Sequence, residues 1–88
     1  MKLIDDVQIM EIGDEFIAVP TGDAGEALHG VIRLNGTGKA IWDALADGLD
    51  ERAVAARLAA EYAVDEAVAL GDVREIVAKL RAAGILID

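Results

Sequence analysis

The chain has 88 residues, which is too short for two hydrophobic cores, so one domain over residues 1–88 is predicted. Hydrophobic residues make up 55% of it and charged residues 28%, which excludes a disordered or collagen-like chain. The net charge of −9 disfavours nucleic acid and anionic membranes as partners, and the lack of cysteine and serine excludes a nucleophile–histidine–acid triad within the chain.

Near the N-terminus, Asp5 and Asp6 interrupt the sequence before an apolar targeting segment can form. No apolar run approaches the ~20 residues that a membrane-spanning helix needs. The expected location is therefore the cytosol.

Two strands are predicted near the N-terminus. The runs Val7–Ile12 and Glu15–Val19 are rich in β-branched residues, and Gly13-Asp14 between them is typical of a tight hairpin turn. Pro20 is expected to end the second strand.

A third strand is predicted over Leu28–Leu34, after a polar, glycine-containing segment. Because side chains alternate between the faces of a strand, Ile32 and Leu34 are expected to face the helices. Val31 would then point outward at the expected sheet edge, two residues before Arg33.

A helical period begins after this strand. Asn35 suits an N-cap, and Asp47-Gly48 is expected to end the first helix. The apolar stripe of this helix falls on Ile41, Trp42, Leu45 and Leu49.

Two further helices are predicted, with Asp50 and Asp65 as N-caps and Gly84 ending the last one. The stripe of the second helix is Val54, Leu58 and Tyr62, beside Ala55 and Ala59. The stripe of the third is Ala69, Val73, Ile76, Val77 and Leu80. Trp42 and Tyr62 are both expected in the core.

The order βββααα, a three-stranded antiparallel sheet followed by three helices, predicts an α+β domain like a winged helix-turn-helix.

The junction between the third strand and the first helix resembles a family signature. The run from Leu34 to Trp42, LNGTGKAIW, is similar to the LN-x-TG-x-x-IW motif of PqqD-like proteins, also called RiPP recognition elements. Further matches in order and spacing continue to Gly84-Ile85-Leu86. Two departures are Gly36, where the family often has Pro or Glu, and Gly71, which interrupts the third helix.

The resemblance implies a non-catalytic protein without a cofactor. It would bind the leader of a ribosomally made precursor peptide and present the core segment to a peptide-modifying enzyme. The leader would add as an antiparallel strand to the third strand, with its side chains in a groove against the third helix.

The candidate peptide-binding residues lie on these two elements. They are Val31, Ile32, Arg33, Asp72, Glu75, Ile76 and Lys79. The strand residues would contribute mainly backbone pairing, and Val31 and Ile76 would line an apolar pocket. The charged residues would set register and selectivity.

The main alternative is a winged-helix transcriptional regulator that binds DNA. A recognition helix should be basic, yet residues 65–81 hold more acids than bases. The acids are Asp65, Glu66, Asp72 and Glu75, and the bases are Arg74, Lys79 and Arg81. The composition of this helix therefore disfavours the alternative.

Nucleotide, metal and acid–base sites have weaker support. The Gly36–Lys39 run fails the phosphate-loop pattern, because Arg33 stands where the first glycine should be and Ala40 where Ser or Thr should follow. His29 is the only histidine, and no metal-ligand spacing surrounds it. The acidic pairs are expected to be solvated at turns and helix starts. These are Asp5-Asp6, Asp14-Glu15 and Asp65-Glu66.

Overall fold

The computed structural model describes residues 2–21 and 32–87. The elements in chain order are β1 (Lys2–Leu3), β2 (Val7–Ile12), β3 (Glu15–Pro20), β4 (Ile32–Leu34), α1 (Gly36–Ala46), α2 (Glu51–Tyr62), α3 (Glu66–Ala82) and β5 (Leu86–Ile87). His29, Val31 and the first part of the predicted third strand lie outside the described residues.

Strands β2, β3 and β4 form an antiparallel sheet in that order, which confirms the predicted sheet. Gly13, the first residue of the turn between β2 and β3, has a φ of +61°, a conformation that favours glycine. The second strand ends at Pro20 as predicted, although Pro20 itself is still paired, opposite Val7, so that β3 is one residue longer than the predicted Glu15–Val19. Proline is tolerated there because the pairing ends at that residue.

The helix starts show two side-chain caps and one position without such a cap. The Oδ1 atoms of Asn35 and Asp50 accept hydrogen bonds from the backbone N–H groups of Gly38 and Ala53, each at 2.8 Å. Asp65 occupies the N-cap position of α3 but makes no side-chain capping bond, so that part of the prediction was wrong. Its side chain is exposed, and water can solvate both the carboxylate and the free amides.

Helix α3 runs through Gly71 without the expected interruption. Glycine costs about 1 kcal/mol relative to alanine inside a helix. The burial of Ala69 and Val73 on either side stabilises the helix against this cost. The helix ends as predicted, with Gly84 at a φ of +77°.

The core lies between the sheet and the three helices. Its buried side chains are Ala18, Leu34, Ile41, Trp42, Ala44, Leu45, Val54, Ala55, Leu58, Ala69, Val73, Val77, Leu80, Ile85 and Leu86. Trp42 is buried, as predicted. Tyr62 is 45% exposed, so its expected place in the core was wrong. It stands in the last turn of α2, where Ala63 adopts a left-handed conformation and the chain turns away.

A second, two-stranded sheet was not predicted. Strands β1 and β5 pair antiparallel, with Lys2 opposite Ile87 and Leu3 opposite Leu86. The N–H of Ile4 extends this contact by donating to the carbonyl oxygen of Ile85 at 2.9 Å. Among the described residues, no helix has the length and apolar character required to cross a membrane.

Candidate functional site

Among the strands that the structure describes, β4 has a partner along one edge and none along the other, which is called the open edge below. It pairs with β3 through Ile32, Arg33 and Leu34, and no other strand within residues 2–21 and 32–87 pairs with it. Backbone groups on an antiparallel strand point alternately to its two sides. The open edge of β4 therefore offers donors and acceptors to an incoming strand.

A groove of about 410 Å³ lies beside this strand. It is bounded by the start of β3, by β4, by the start of α1 and by one side of α3. Its lining residues, which define the groove below, are Glu15, Arg33, Leu34, Asn35, Thr37, Gly38, Ile41, Asp72, Glu75, Ile76 and Lys79.

The apolar part of the groove is continuous with the core. Leu34 and Ile41 are each 1% exposed, and Ile76 is half-buried against the core. Ile76 lies three residues after Val73 and four before Leu80, so it borders the buried stripe of α3. One side of Ile76 supports the core while the other faces the groove.

The junction of β4 and α1 holds its shape through a cap and a glycine. The side chain of Asn35 caps α1, and Gly38 is buried beside it. A Cβ at Gly38 would lie 3.2 Å from Cδ2 of Leu34 and 3.3 Å from Oδ1 of Asn35. Such close contacts would push Leu34 or Asn35 out of position. This packing gives a structural reason for the Asn and the second Gly of the sequence motif.

Lys39, the lysine of the rejected phosphate-loop pattern, is held by other groups. Its ammonium binds the carboxylate of Asp43 one turn later and lies 5.6 Å from the ring centroid of Phe16. These contacts hold the ammonium beside Phe16 and Asp43 rather than at the glycines.

Two of the groove's acidic residues are paired with its two basic residues. Arg33 lies 3.9 Å from Glu15, and Lys79 lies 3.7 Å from Glu75. The side chain of Asp72 forms no ion pair or hydrogen bond with any described residue. No group of three or more metal-ligating side chains is found in the described part of the chain.

The structure brings most of the sequence-predicted candidates together. Arg33, Asp72, Glu75, Ile76 and Lys79 all line the groove. Ile32 does not, because its side chain packs against the core. Since Ile32 pairs with Ala18, its backbone groups point toward β3, and those of Arg33 point toward the open edge. Val31 lies outside the described residues.

Several groove residues were not predicted from the sequence to belong to the site, among them Glu15, Thr37 and Ile41. Thr37 and Ile41 belong to the junction motif, which gave a sequence signal. Glu15 enters the groove through the pairing of β3 with β4, in which Phe16 lies opposite Leu34. That register was not available from the pattern of the two strands alone.

The comparisons with known proteins agree with this fold. The family model for coenzyme PQQ synthesis protein D (PqqD) matches residues 15–86. A solved structure of TbiB1 in complex with the TbiA(beta) leader peptide is 25% identical, with full coverage of both chains and a TM-score of 0.77. A lasso peptide synthetase B1 complexed with the leader peptide is 23% identical, with 99% of this chain and 96% of that chain covered and a TM-score of 0.78. No curated protein matches with statistical significance.

Proposed function

This chain belongs to the PqqD family, and we propose from that premise that it binds the leader segment of a ribosomally synthesised precursor peptide by β-strand addition. It then presents the precursor to a peptide-modifying enzyme. The observation that carries the proposal is the groove beside the open edge of β4. The encounter would take place in the cytosol, where a ribosomal product first appears.

The physical argument combines an open edge with an adjoining groove. Main-chain hydrogen bonds to β4 supply affinity that depends little on the leader's sequence. Alternate side chains of the added strand would enter the groove and contact Leu34, Ile41 and Ile76, which supplies selectivity. The groove's volume falls within the ~300–1,000 Å³ typical of binding pockets.

Two similar folds support leader binding as the function. TbiB1 and a lasso peptide synthetase B1 were both solved with a leader peptide, and each aligns with nearly all of this chain. In this proposal the site residues are Val31, Ile32, Arg33, Asp72, Glu75, Ile76 and Lys79. The strand residues contribute mainly by forming the open edge of β4, and Ile76 forms the apolar wall.

We assign the chain a role in binding rather than in catalysis. The groove's side chains are apolar, amide, hydroxyl or charged groups, and its carboxylates stand at the surface. Chemistry on the precursor would belong to the modifying enzyme, and this chain would supply proximity by holding the leader. No cofactor is required for that role.

The DNA-binding alternative gains no specific support from the geometry. Arg74, on α3, lies 3.5 Å from Glu51 on α2, and Lys79 pairs with Glu75 on the same helix. A DNA-binding helix needs basic side chains that are available to contact the phosphates of DNA. We therefore make no second functional proposal.

The proposal can be tested by removing the apolar wall of the groove. The probes are synthetic peptides spanning the N-terminal parts of short open reading frames that flank this gene. Calorimetric titration is expected to find one that binds. The Ile76→Ala variant should weaken its binding by about tenfold, equivalent to ~1.4 kcal/mol, because an apolar anchor loses its contact.

Val68→Ala is the matched control, since Val68 is on the same helix but is 58% exposed and does not line the groove. It should bind the peptide with the affinity of the original protein. Thermal melting of both variants checks that each is folded. If none of the peptides binds, or if folded Ile76→Ala binds as tightly as Val68→Ala, the proposed function is wrong.

A further inference from the structure

The groove has one acidic side chain more than it has basic side chains. Glu15 and Glu75 each lie near a basic residue, Arg33 and Lys79 respectively. Asp72 is the remaining carboxylate, exposed on the wall of α3 and unpaired within the residues that the structure describes. A bound peptide that brings a cation to this position would gain an ion pair without breaking one.

We propose that Asp72 selects leaders with a lysine or arginine two positions away from the apolar residue that packs on Ile76. This inference rests on the proposed function and adds the chemistry of the recognised segment. Asp72 acts as a specificity-determining residue, and Ile76 provides the apolar contact beside it.

The spacing follows from the geometries of a helix and a strand. Asp72 and Ile76 are one turn apart on α3, which corresponds to a rise of about 6 Å along the axis. Two residues of an extended strand span about 6.6 Å and place both side chains on the same face. A leader strand running along α3 can therefore present a basic and an apolar side chain to Asp72 and Ile76 at once.

The charge of the whole chain favours the same class of ligand. The net charge is −9, so a cationic segment is attracted from a distance and an anionic one is repelled. An acidic side chain of a bound peptide could pair with Arg33 or Lys79 only by displacing Glu15 or Glu75. The displaced glutamate would then be unpaired beside the peptide's carboxylate.

The expected effect is one of selectivity. Ion pairs between exposed groups contribute at most about 1 kcal/mol, which corresponds to about a fivefold change in affinity. The pair should therefore discriminate between leaders, while strand pairing and the contact with Ile76 supply most of the affinity.

The test uses a displayed library of random peptides long enough to span β4 and the groove. The library is selected separately on the original protein, on Asp72→Lys and on Glu61→Lys. Glu61 is an exposed acid on α2 that does not line the groove, and both reversals change the net charge by the same amount. The Glu61→Lys control therefore separates local recognition from overall charge.

The original protein and Glu61→Lys should both enrich lysine or arginine two positions from an apolar residue. Asp72→Lys should enrich aspartate or glutamate at that position. Exchanging lysine for glutamate in a selected peptide should weaken its binding to the original protein about fivefold and strengthen its binding to Asp72→Lys.

Identical preferences in all three pools would overturn the role of Asp72 and leave the proposed function standing, provided that the selected peptides compete with one another and lose affinity in Ile76→Ala. If the selected peptides bind Ile76→Ala as tightly as the original protein, they do not use the groove. Both the inference and the proposed function would then be wrong.

Discussion

Trp42 and Tyr62 occupy similar sequence patterns but different environments. Both follow apolar stripes on amphipathic helices, yet Trp42 is 6% exposed and Tyr62 is 45% exposed. The difference comes from position along the helix. Trp42 lies in the middle of α1 and packs into the core, whereas Tyr62 is the last residue of α2. A stripe indicates which face of a helix is apolar but does not indicate how far the core extends along it.

Replacing Trp42 with alanine should therefore destabilise the fold strongly. Truncation of a buried aromatic costs about 3–5 kcal/mol, which is comparable with the ~5–15 kcal/mol total stability of a small protein. Urea denaturation followed by circular dichroism measures the loss. Tyr62→Ala is the control and should cost less than about 1 kcal/mol. If both variants lost the same free energy of unfolding, the conclusion that Trp42 is buried and Tyr62 is exposed would be wrong.

At the scale of elements, the start of α1 links the fold to the groove. Asn35 closes the first turn of this helix through its bond to the N–H of Gly38, and both residues line the groove. Asp65 stands at the corresponding position of α3 without such a bond. Asn35 therefore stabilises its helix through a hydrogen bond, whereas Asp65 stabilises its helix only through its negative charge.

Asn35→Ala should lower the free energy of unfolding by about 1 kcal/mol, because a capping bond is lost. Asp65→Ala should lower it by only about 0.3–0.5 kcal/mol, the contribution of a charge near a helix N-terminus. Added salt should reduce the Asp65 effect by screening and leave the Asn35 effect unchanged. Urea denaturation at low and high salt measures both. A larger, salt-insensitive loss for Asp65→Ala would contradict the difference between the caps.

The elements with a clear period or a clear boundary residue could be predicted from the sequence. The hairpin turn at Gly13, the three helices and the glycine stop at Gly84 are of this kind. Strands β1 and β5 could not be predicted, because each has two residues and gains its regular structure only by pairing with the other. Local sequence carries no period over so short a run.

At the scale of the whole molecule, the groove arises from elements far apart in the chain. Strand β4 and helix α3 both line it, although Arg33 and Asp72 are separated by two other helices. The resemblance to PqqD-like proteins indicated which two elements to combine. The pairing of Arg33 with Glu15, which leaves Asp72 as the unpaired acid, depends on strand register and rotamers that the sequence did not provide.

The most direct test of leader binding in the groove is an amide chemical-shift titration of the isotope-labelled protein with a peptide that binds it. The largest shifts are expected at residues 32–35 and 37–38 and at residues 72–79 of α3, which together surround the groove. Shifts concentrated on α2, residues 51–62, or on the other sheet edge, residues 7–12, would contradict binding between β4 and α3.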